Sequence, residues 1–327
     1  MHKNTQFFLN KVIESKVKMF TAKTPLRISL FGGSTDNPQF IKKYKKSLVI
    51  NFASNLSTHV VLFRDKMGRN TYQNQYILNY TSRENIYKIS QIKNAVIREC
   101  LKFHKVPPVS IHLNSDIFSK GSGLAASSSY VLNILKCIYN FKKKKISKYN
   151  LIKEALFIER KFNKYCGYQD PFGCEIPGLK IIKTKDDSRF KIINLNNTLF
   201  KKFNFYLMPT FINRNSKTIL HNLSKQLNLI YPLYEVAKEA EKLIINKDYF
   251  KFIKLLKVSW ELKRRSSPEI INNSKLVKID NKLENDKNII SHKLLGAGSG
   301  GSFLLITKKD IVINGYKNVI KVKNYEK

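Results

Sequence analysis

The sequence predicts a folded chain of mixed strands and helices, arranged as one large or two medium domains, on three observations. Apolar and polar residues alternate at Leu26, Ile28 and Leu30 and again at Val109, Ile111 and Leu113, the period of a half-buried strand. From Ser216 to Asn285 the apolar residues recur instead at the spacing of amphipathic helices. The 327 residues, 43% of them hydrophobic and 12% aromatic, suffice to bury a substantial core.

Residues 1–18 are polar and weakly patterned and read as an extension ahead of the folded body, whose pattern begins at Met19. The Leu26–Leu30 strand carries Arg27 and Ser29 between its apolar positions, ends at Gly32-Gly33, and leads to Asp36 in the following turn. An arginine on a buried strand calls for an anionic partner, whereas one on a strand edge points into solvent. Leu48 to Phe52 and Thr58 to Phe63 read as two further strands, followed by a basic, aromatic loop and a helix over Gln91 to His104.

The Val109–Leu113 strand leads to Lys120-Gly-Ser-Gly-Leu-Ala-Ala-Ser-Ser-Ser-Tyr130. Gly121 and Gly123 can take positive φ and approach a ligand closely. Directly afterwards Val131, Leu132, Leu135, Ile138 and Tyr139 share one helical face. A glycine-rich loop therefore opens a helix whose first N–H groups lack partners inside it, and such an end attracts anions. The hydroxyls of Ser127, Ser128 and Ser129 could bind a phosphate oxygen or a metal ion. The plainer reading is a serine-capped helix start. A Walker A loop is excluded, because no lysine follows the glycines in the required place. A dinucleotide fingerprint fails as well: Ser115 to Lys120 separate strand from loop, and Lys142 to Lys145 stand where an acid is needed.

Asn150 to Lys164 reads as a helix bearing Glu159. Asp170 follows in Gly167-Tyr-Gln-Asp-Pro-Phe-Gly173, where Pro171 places the carboxylate in a turn or at the start of a new helix. Two separated carboxylates and a serine triplet could hold Mg²⁺ against phosphates, since that ion takes one or two carboxylates plus phosphate oxygens and water. Beyond Leu179 short strands alternate with charged turns to about Lys202, and Phe203 to Phe211 is another strand. Helices follow over Ser216–Leu229, Leu233–Ile245, Tyr249–Leu262 and Ile270–Asn285. Gly296 to Gly301 then joins two strands, Ile289–Leu295 and Ser302–Thr307.

Sixty Lys and Arg against 23 Asp and Glu give a formal charge of +37. That balance fits phosphorylated small molecules, nucleic acid or an acidic membrane surface. Lys, Asn and Ile are, however, abundant throughout, as in AT-rich genomes, and the sequence holds no zinc finger, basic zipper or aromatic RNA-binding signature. No apolar run reaches the ~18 residues of a membrane span, and the first twenty residues have no signal-peptide core. Four isolated cysteines fit a reducing, cytoplasmic setting and form no metal or redox motif.

Three loops, in this order, resemble the GHMP kinase family, named for galactokinase, homoserine, mevalonate and phosphomevalonate kinases. They are Pro25-Leu-Arg-Ile-Ser-Leu-Phe-Gly-Gly-Ser-Thr-Asp36, Gly121-Ser-Gly-Leu-Ala-Ala-Ser-Ser-Ser129 and Leu295-Gly-Ala-Gly-Ser-Gly-Gly-Ser-Phe303. The Gly-Gly-Ser-Thr-Asp form of the first, Gly-Tyr-Gln-Asp at 167–170 and Ser259-Trp-Glu-Leu-Lys-Arg-Arg265 resemble the branch acting on heptose 7-phosphate. The resemblance implies an α+β fold in two domains, 19–202 and 203–327, with the nucleotide between them. It implies an ATP-dependent kinase of the anomeric hydroxyl, supplying nucleotide-activated heptose for surface polysaccharide. ATP would sit on Lys120, Gly121, Ser122, Gly123, Leu124, Ala125, Ala126, Ser127 and Ser128, and Mg²⁺ on Ser127 and Glu159. Asp170 matches the catalytic aspartate and Arg27 the cation beside it. Asp36 matches a sugar-hydroxyl binder, with Gly33, Thr35, Gly298 and Gly300 also on the substrate.

The chain departs from the family pattern in four places. Ala125-Ala126 stand for Gly-Ser, Ser34 and Ser299 replace glycines, and Tyr168 replaces a lysine that could contact a substrate phosphate. Lys263, Arg264 and Arg265, at a helix end, are then the candidate cations for that phosphate. Two other readings remain: a kinase of an unphosphorylated sugar of the galactose or fucose type, and a basic nucleic-acid-binding protein with a degenerate site.

Overall fold

The long strand β1 (Met19–Phe31) pairs antiparallel along almost its whole length with β2 (Ser47–Phe63). The computed structural model containing them describes residues 18–118, 121–212, 221 and 226–326. Residues 1–17 of the expected extension, Lys120 and most of the Ser216–Leu229 helix lie outside the described residues. Where the sequence suggests two strands, β2 is one, because the polar residues interrupting its alternation find partners in place. Buried Ser54 donates to the Leu26 carbonyl at 2.9 Å, and the Asn55 N–H reaches the Lys323 carbonyl at 3.0 Å.

Between β1 and β2 runs the short helix α1 (Pro38–Tyr44). The basic segment after β2, expected to be a loop, folds into α2 (Arg69–Tyr72) and the hairpin β3 (Tyr76–Asn79) to β4 (Arg83–Ile86). The Asp65 carboxylate organises it by accepting the backbone N–H groups of Gly68, Asn70 and Thr71. The next helix, α3 (Ala95–Phe103), starts later than expected, since Asn94 caps it by accepting from Val96 and Ile97. β5 (Ser110–Ser115) leads to α4 (Ala126–Phe141), α5 (Lys148–Phe162) and α6 (Gln169–Glu175), then to β6 (Leu179–Thr184) and β7 (Lys191–Leu195). The sheet order is β4-β3-β5-β2-β6-β7 with β1 also on β2, and β3–β5 is its parallel pair. The α4 face read from the sequence is buried at Val131, Leu132, Leu135 and Ile138.

After the short helix α7 (Thr198–Lys202), a second, antiparallel sheet forms in the order β11-β8-β10-β9. Its strands are β8 (Phe203–Pro209), β9 (Ser291–Leu294), β10 (Ser302–Lys308) and β11 (Ile320–Val322). Helices Leu227–Ile245, Tyr249–Arg265 and Ser274–Glu284 accompany it, the first beginning before Pro232, where the sequence suggested a break. One apolar cluster joins the two sheets: Leu26, Ile28 and Leu30 of β1 pack in it with Phe205 and Leu207 of β8 and Leu304 and Ile306 of β10. Among the described residues no helix is long and apolar enough to cross a membrane.

Candidate active site

The anionic partner that Arg27 needs is Asp170. From β1, where the strand register slips between Pro25 and Arg27, the buried guanidinium gives Nε and Nη2 to Asp170 Oδ1 at 2.8 and 2.6 Å. Its Nη1 donates to the Gly123 carbonyl at 2.8 Å, so one side chain ties strand, glycine loop and carboxylate together. Asp170 stands in the first turn of α6, where the missing N–H of Pro171 breaks no helical bond. No described residue hydrogen-bonds Asp170 Oδ2.

Two more carboxylates share the cleft. Asp36, after the Gly32-Gly33 turn, accepts the Ser34 N–H at 3.1 Å and the Gln169 N–H at 3.3 Å. Burial and the charge of Asp170 push its carboxyl up to about 6. Glu159, on the inner face of α5, accepts a hydrogen bond from the Ser128 hydroxyl. Burial and Asp170 push it up to about 7. Together with Arg27, Gly33, Gly121, Ser122, Gly123, Ala125, Ala126 and Ser127, these groups line one cleft of about 260 Å³. The start of α4, a 16-residue helix, opens there with its unpaired N–H groups.

Other expected site residues turn elsewhere. Leu124 is a core side chain. Ser128 is fully buried, its hydroxyl committed to Glu159. Thr35 braces the turn, donating to the Gly32 carbonyl at 2.7 Å. Gly298 and Gly300 lie against Ile270 and Ile212, while Gly296 and Ala297 of the same loop reach the cleft. Arg264 pairs with Asp280 at 2.6 Å and Arg265 with Glu261, outside the cleft, which only Lys263 of this trio lines. Tyr168 also points inward, its hydroxyl bonding Ser47 Oγ at 2.8 Å and the Ile182 carbonyl at 3.2 Å. The cation replaced there would not face the cleft in this backbone.

One cleft residue, Lys293, is not among the candidates drawn from the sequence. It lines the cleft from β9 and donates to the Leu30 carbonyl at 2.7 Å. Like Arg27, Lys293 is a cation within an apolar run, Ile289–Leu295. Gln169 and Ser29, bonded to each other at 2.9 Å, complete the floor.

The three departures at glycine positions keep the backbone that glycine favours: Ser34, Ala125 and Ser299 have φ of 79°, 60° and 62°. Elsewhere glycine is needed for space. A Cβ on Gly123 would lie 2.5 Å from the Leu295 carbonyl oxygen, and one on Gly301 would lie 2.9 Å from that of Ser122. The phosphate-type loop and the third glycine loop are thus in backbone contact. For a divalent cation, Glu159 and Ser127 offer one carboxylate and one hydroxyl, and the described residues contain no closed cluster of three or more His, Cys, Asp or Glu. That open set suits Mg²⁺, which keeps water and phosphate oxygens in its shell, and a cation there would relieve the repulsion between Glu159 and Asp170.

Comparison with known proteins agrees with this architecture. Residues 88–178 match the GHMP kinases N terminal domain. The chain is 27% identical over 328 residues, 94% of its own length and 95% of the other's, to the D-glycero-alpha-D-manno-heptose 7-phosphate kinase of Campylobacter jejuni. Its fold is similar to that of Lactococcus lactis galactokinase complexed with galactose (TM-score 0.69, 14% identity, 90% of this chain and 87% of that one). It is also similar to Streptococcus pneumoniae phosphomevalonate kinase in complex with phosphomevalonate and AMPPNP (TM-score 0.68, 15% identity, 88% and 92%). Residues 88–178 thus match the GHMP kinases N terminal domain, within a fold similar to those of a solved galactokinase and a solved phosphomevalonate kinase.

Proposed function

We propose that this protein transfers the terminal phosphoryl group of ATP to the anomeric hydroxyl of a heptose 7-phosphate, in a route to nucleotide-activated heptose. The observation that carries the kinase reading is the Arg27–Asp170 pair beside a glycine loop at a helix N-terminus. The heptose phosphate is supported by the similarity to the Campylobacter jejuni enzyme.

Phosphoryl transfer asks a protein mainly for positioning and for charge placed against the phosphates. The N–H groups of the 121–127 loop and of the first α4 turn bind phosphate oxygens. Ser127 and Glu159 would hold Mg²⁺, which would supply charge to offset that of the phosphates. Arg27 fixes the Asp170 carboxylate through Oδ1, and Asp170 takes the proton of the sugar hydroxyl as general base. Asp36 accepts a hydrogen bond from a second hydroxyl, orienting the ring.

ATP consumption measured against a panel of sugars and sugar phosphates tests the reading, with heptose 7-phosphate expected to turn over fastest. Preferred turnover of galactose or fucose would move the assignment to a plain sugar kinase. No turnover at all, with steeply salt-dependent RNA binding, would favour the nucleic-acid reading. Asp170→Asn should lower kcat by ~10²–10⁴-fold or more while ATP still binds. A loss of only a few-fold would remove Asp170 from the chemistry.

A further inference from the structure

Apart from Arg27 of β1, which is engaged with Asp170, the charged groups of the cleft divide by origin. Its carboxylates, Asp36, Glu159 and Asp170, come from the half of the chain built on the larger sheet. Two buried lysines come from the other half: Lys293 on β9 and Lys263 on the Tyr249–Arg265 helix. The Lys293 ammonium donates to the Leu30 carbonyl, a neutral acceptor, and that of Lys263 reaches the Gly296 carbonyl. Among the described residues Lys293 makes no ion pair; burial, and after it the positive charge of Arg27, pushes Lys293 down to about 7. A buried ammonium without a counter-charge is costly, and an anion entering the cleft would supply one.

We propose that Lys293, assisted by Lys263, forms the subsite for the phosphate that the sugar substrate already carries. This rests on the kinase reading above and deepens it. The position of Lys293 favours the sugar's phosphate over those of ATP. ATP has the glycine loop and the α4 N-terminus, whereas Lys293 reaches the end of β1, the strand that runs into the Gly33–Asp36 turn on the sugar side. The pair also takes the place of Arg264 and Arg265, which are engaged with Asp280 and Glu261.

The test compares kcat/KM for heptose 7-phosphate with that for heptose in the unmutated protein and in Lys293→Met, Lys293→Arg and Lys263→Met. Lys293→Met should cut the preference for the phosphorylated sugar by about 10–100-fold, the worth of one hydrogen bond to a charged group, chiefly through KM. Lys293→Arg should restore part of it, and KM for ATP should stay within about two-fold. Inorganic phosphate, tested on the unmutated protein so that no variant need fold, should compete with heptose 7-phosphate and not with ATP. An unchanged preference, a rise in KM for ATP in its place, or phosphate competing only with ATP would overturn the subsite and leave the kinase standing. Equal kcat/KM of the unmutated protein for the two sugars would overturn the heptose-phosphate reading, and the subsite with it.

Discussion

Asp36 is held in a state that its own stability does not favour. Its carboxyl sits at about 6, against 3.8 for a free aspartate, because burial and Asp170 disfavour its charge. The folded protein therefore holds this proton more tightly than the unfolded chain. Stability is lost as pH rises from about 4 to about 6, and the loss is complete above that. Asp36→Asn should accordingly raise stability at pH 8, by up to ~3 kcal/mol on the scale of 1.36 kcal/mol per unit, with the gain gone at pH 4. The same group should make KM for the sugar rise as pH falls below about 6, a limb the variant lacks. Melts at both pH values check this, and a variant less stable at pH 8 would refute it. Ala125 is a second strained residue, left-handed at φ 60°. Left-handed backbone costs an L-residue roughly 1–2 kcal/mol, and glycine's extra unfolded freedom roughly 0.4–1 kcal/mol. Ala125→Gly should thus be neutral to about 1 kcal/mol stabilising in denaturant titrations, whereas a mid-helix glycine would cost about 1 kcal/mol.

At the scale of elements, the site depends on loops locked by backbone contact. Gly123, at φ +84° with the Leu295 carbonyl where a Cβ would go, allows the phosphate-type loop to meet the third loop. Gly123→Ala should part them, weakening ATP binding and lowering stability by roughly 1–3 kcal/mol; unchanged ATP titrations and melts would show the contact to be incidental. Glu159 works through the pairing of α5 with α4, so Glu159→Gln should weaken Mg²⁺–ATP and be partly rescued by excess Mg²⁺. An unaltered Mg²⁺ dependence would return Glu159 to a structural role. The legible part of this site was whatever broke its local pattern. Arg27 on an apolar strand, glycines before a helix and Asp170 before proline all did so. Thr35, Gly298 and Gly300 break the pattern too, yet they serve the loops themselves, and only long-range packing against Leu48, Ile270 and Ile212 separates the two cases. Lys293, a cation inside the apolar run Ile289–Leu295, breaks its pattern as well, but what brings it into the cleft, the Leu30 carbonyl, is 263 residues away. The continuity of β2 was hidden for the same reason, since its polar middle is satisfied by residues 26 and 323.

For the whole molecule, the cluster joining the sheets decides how the two halves behave. Phe52 of β2 stacks edge-on against Phe200 of α7 and Phe205 of β8, at centroid distances of 4.9 and 5.6 Å. Leu26, Ile28 and Leu30 of β1 are completely buried in the same cluster as Leu304 and Ile306. Separating the halves would expose this apolar surface to water at roughly 25 cal/mol per Å², so neither half is expected to outlast the other on heating. The protein should unfold in one transition, with far-UV and near-UV circular dichroism melting together. Phe205→Ala, which removes a large buried side chain from the junction, should destabilise that single transition by ~3–5 kcal/mol. A biphasic melt of the unmutated protein, or a Phe205→Ala variant that unfolds the smaller sheet first while the larger one melts unchanged, would show instead that each half carries its own stability and that the cleft is a seam between independent folding units.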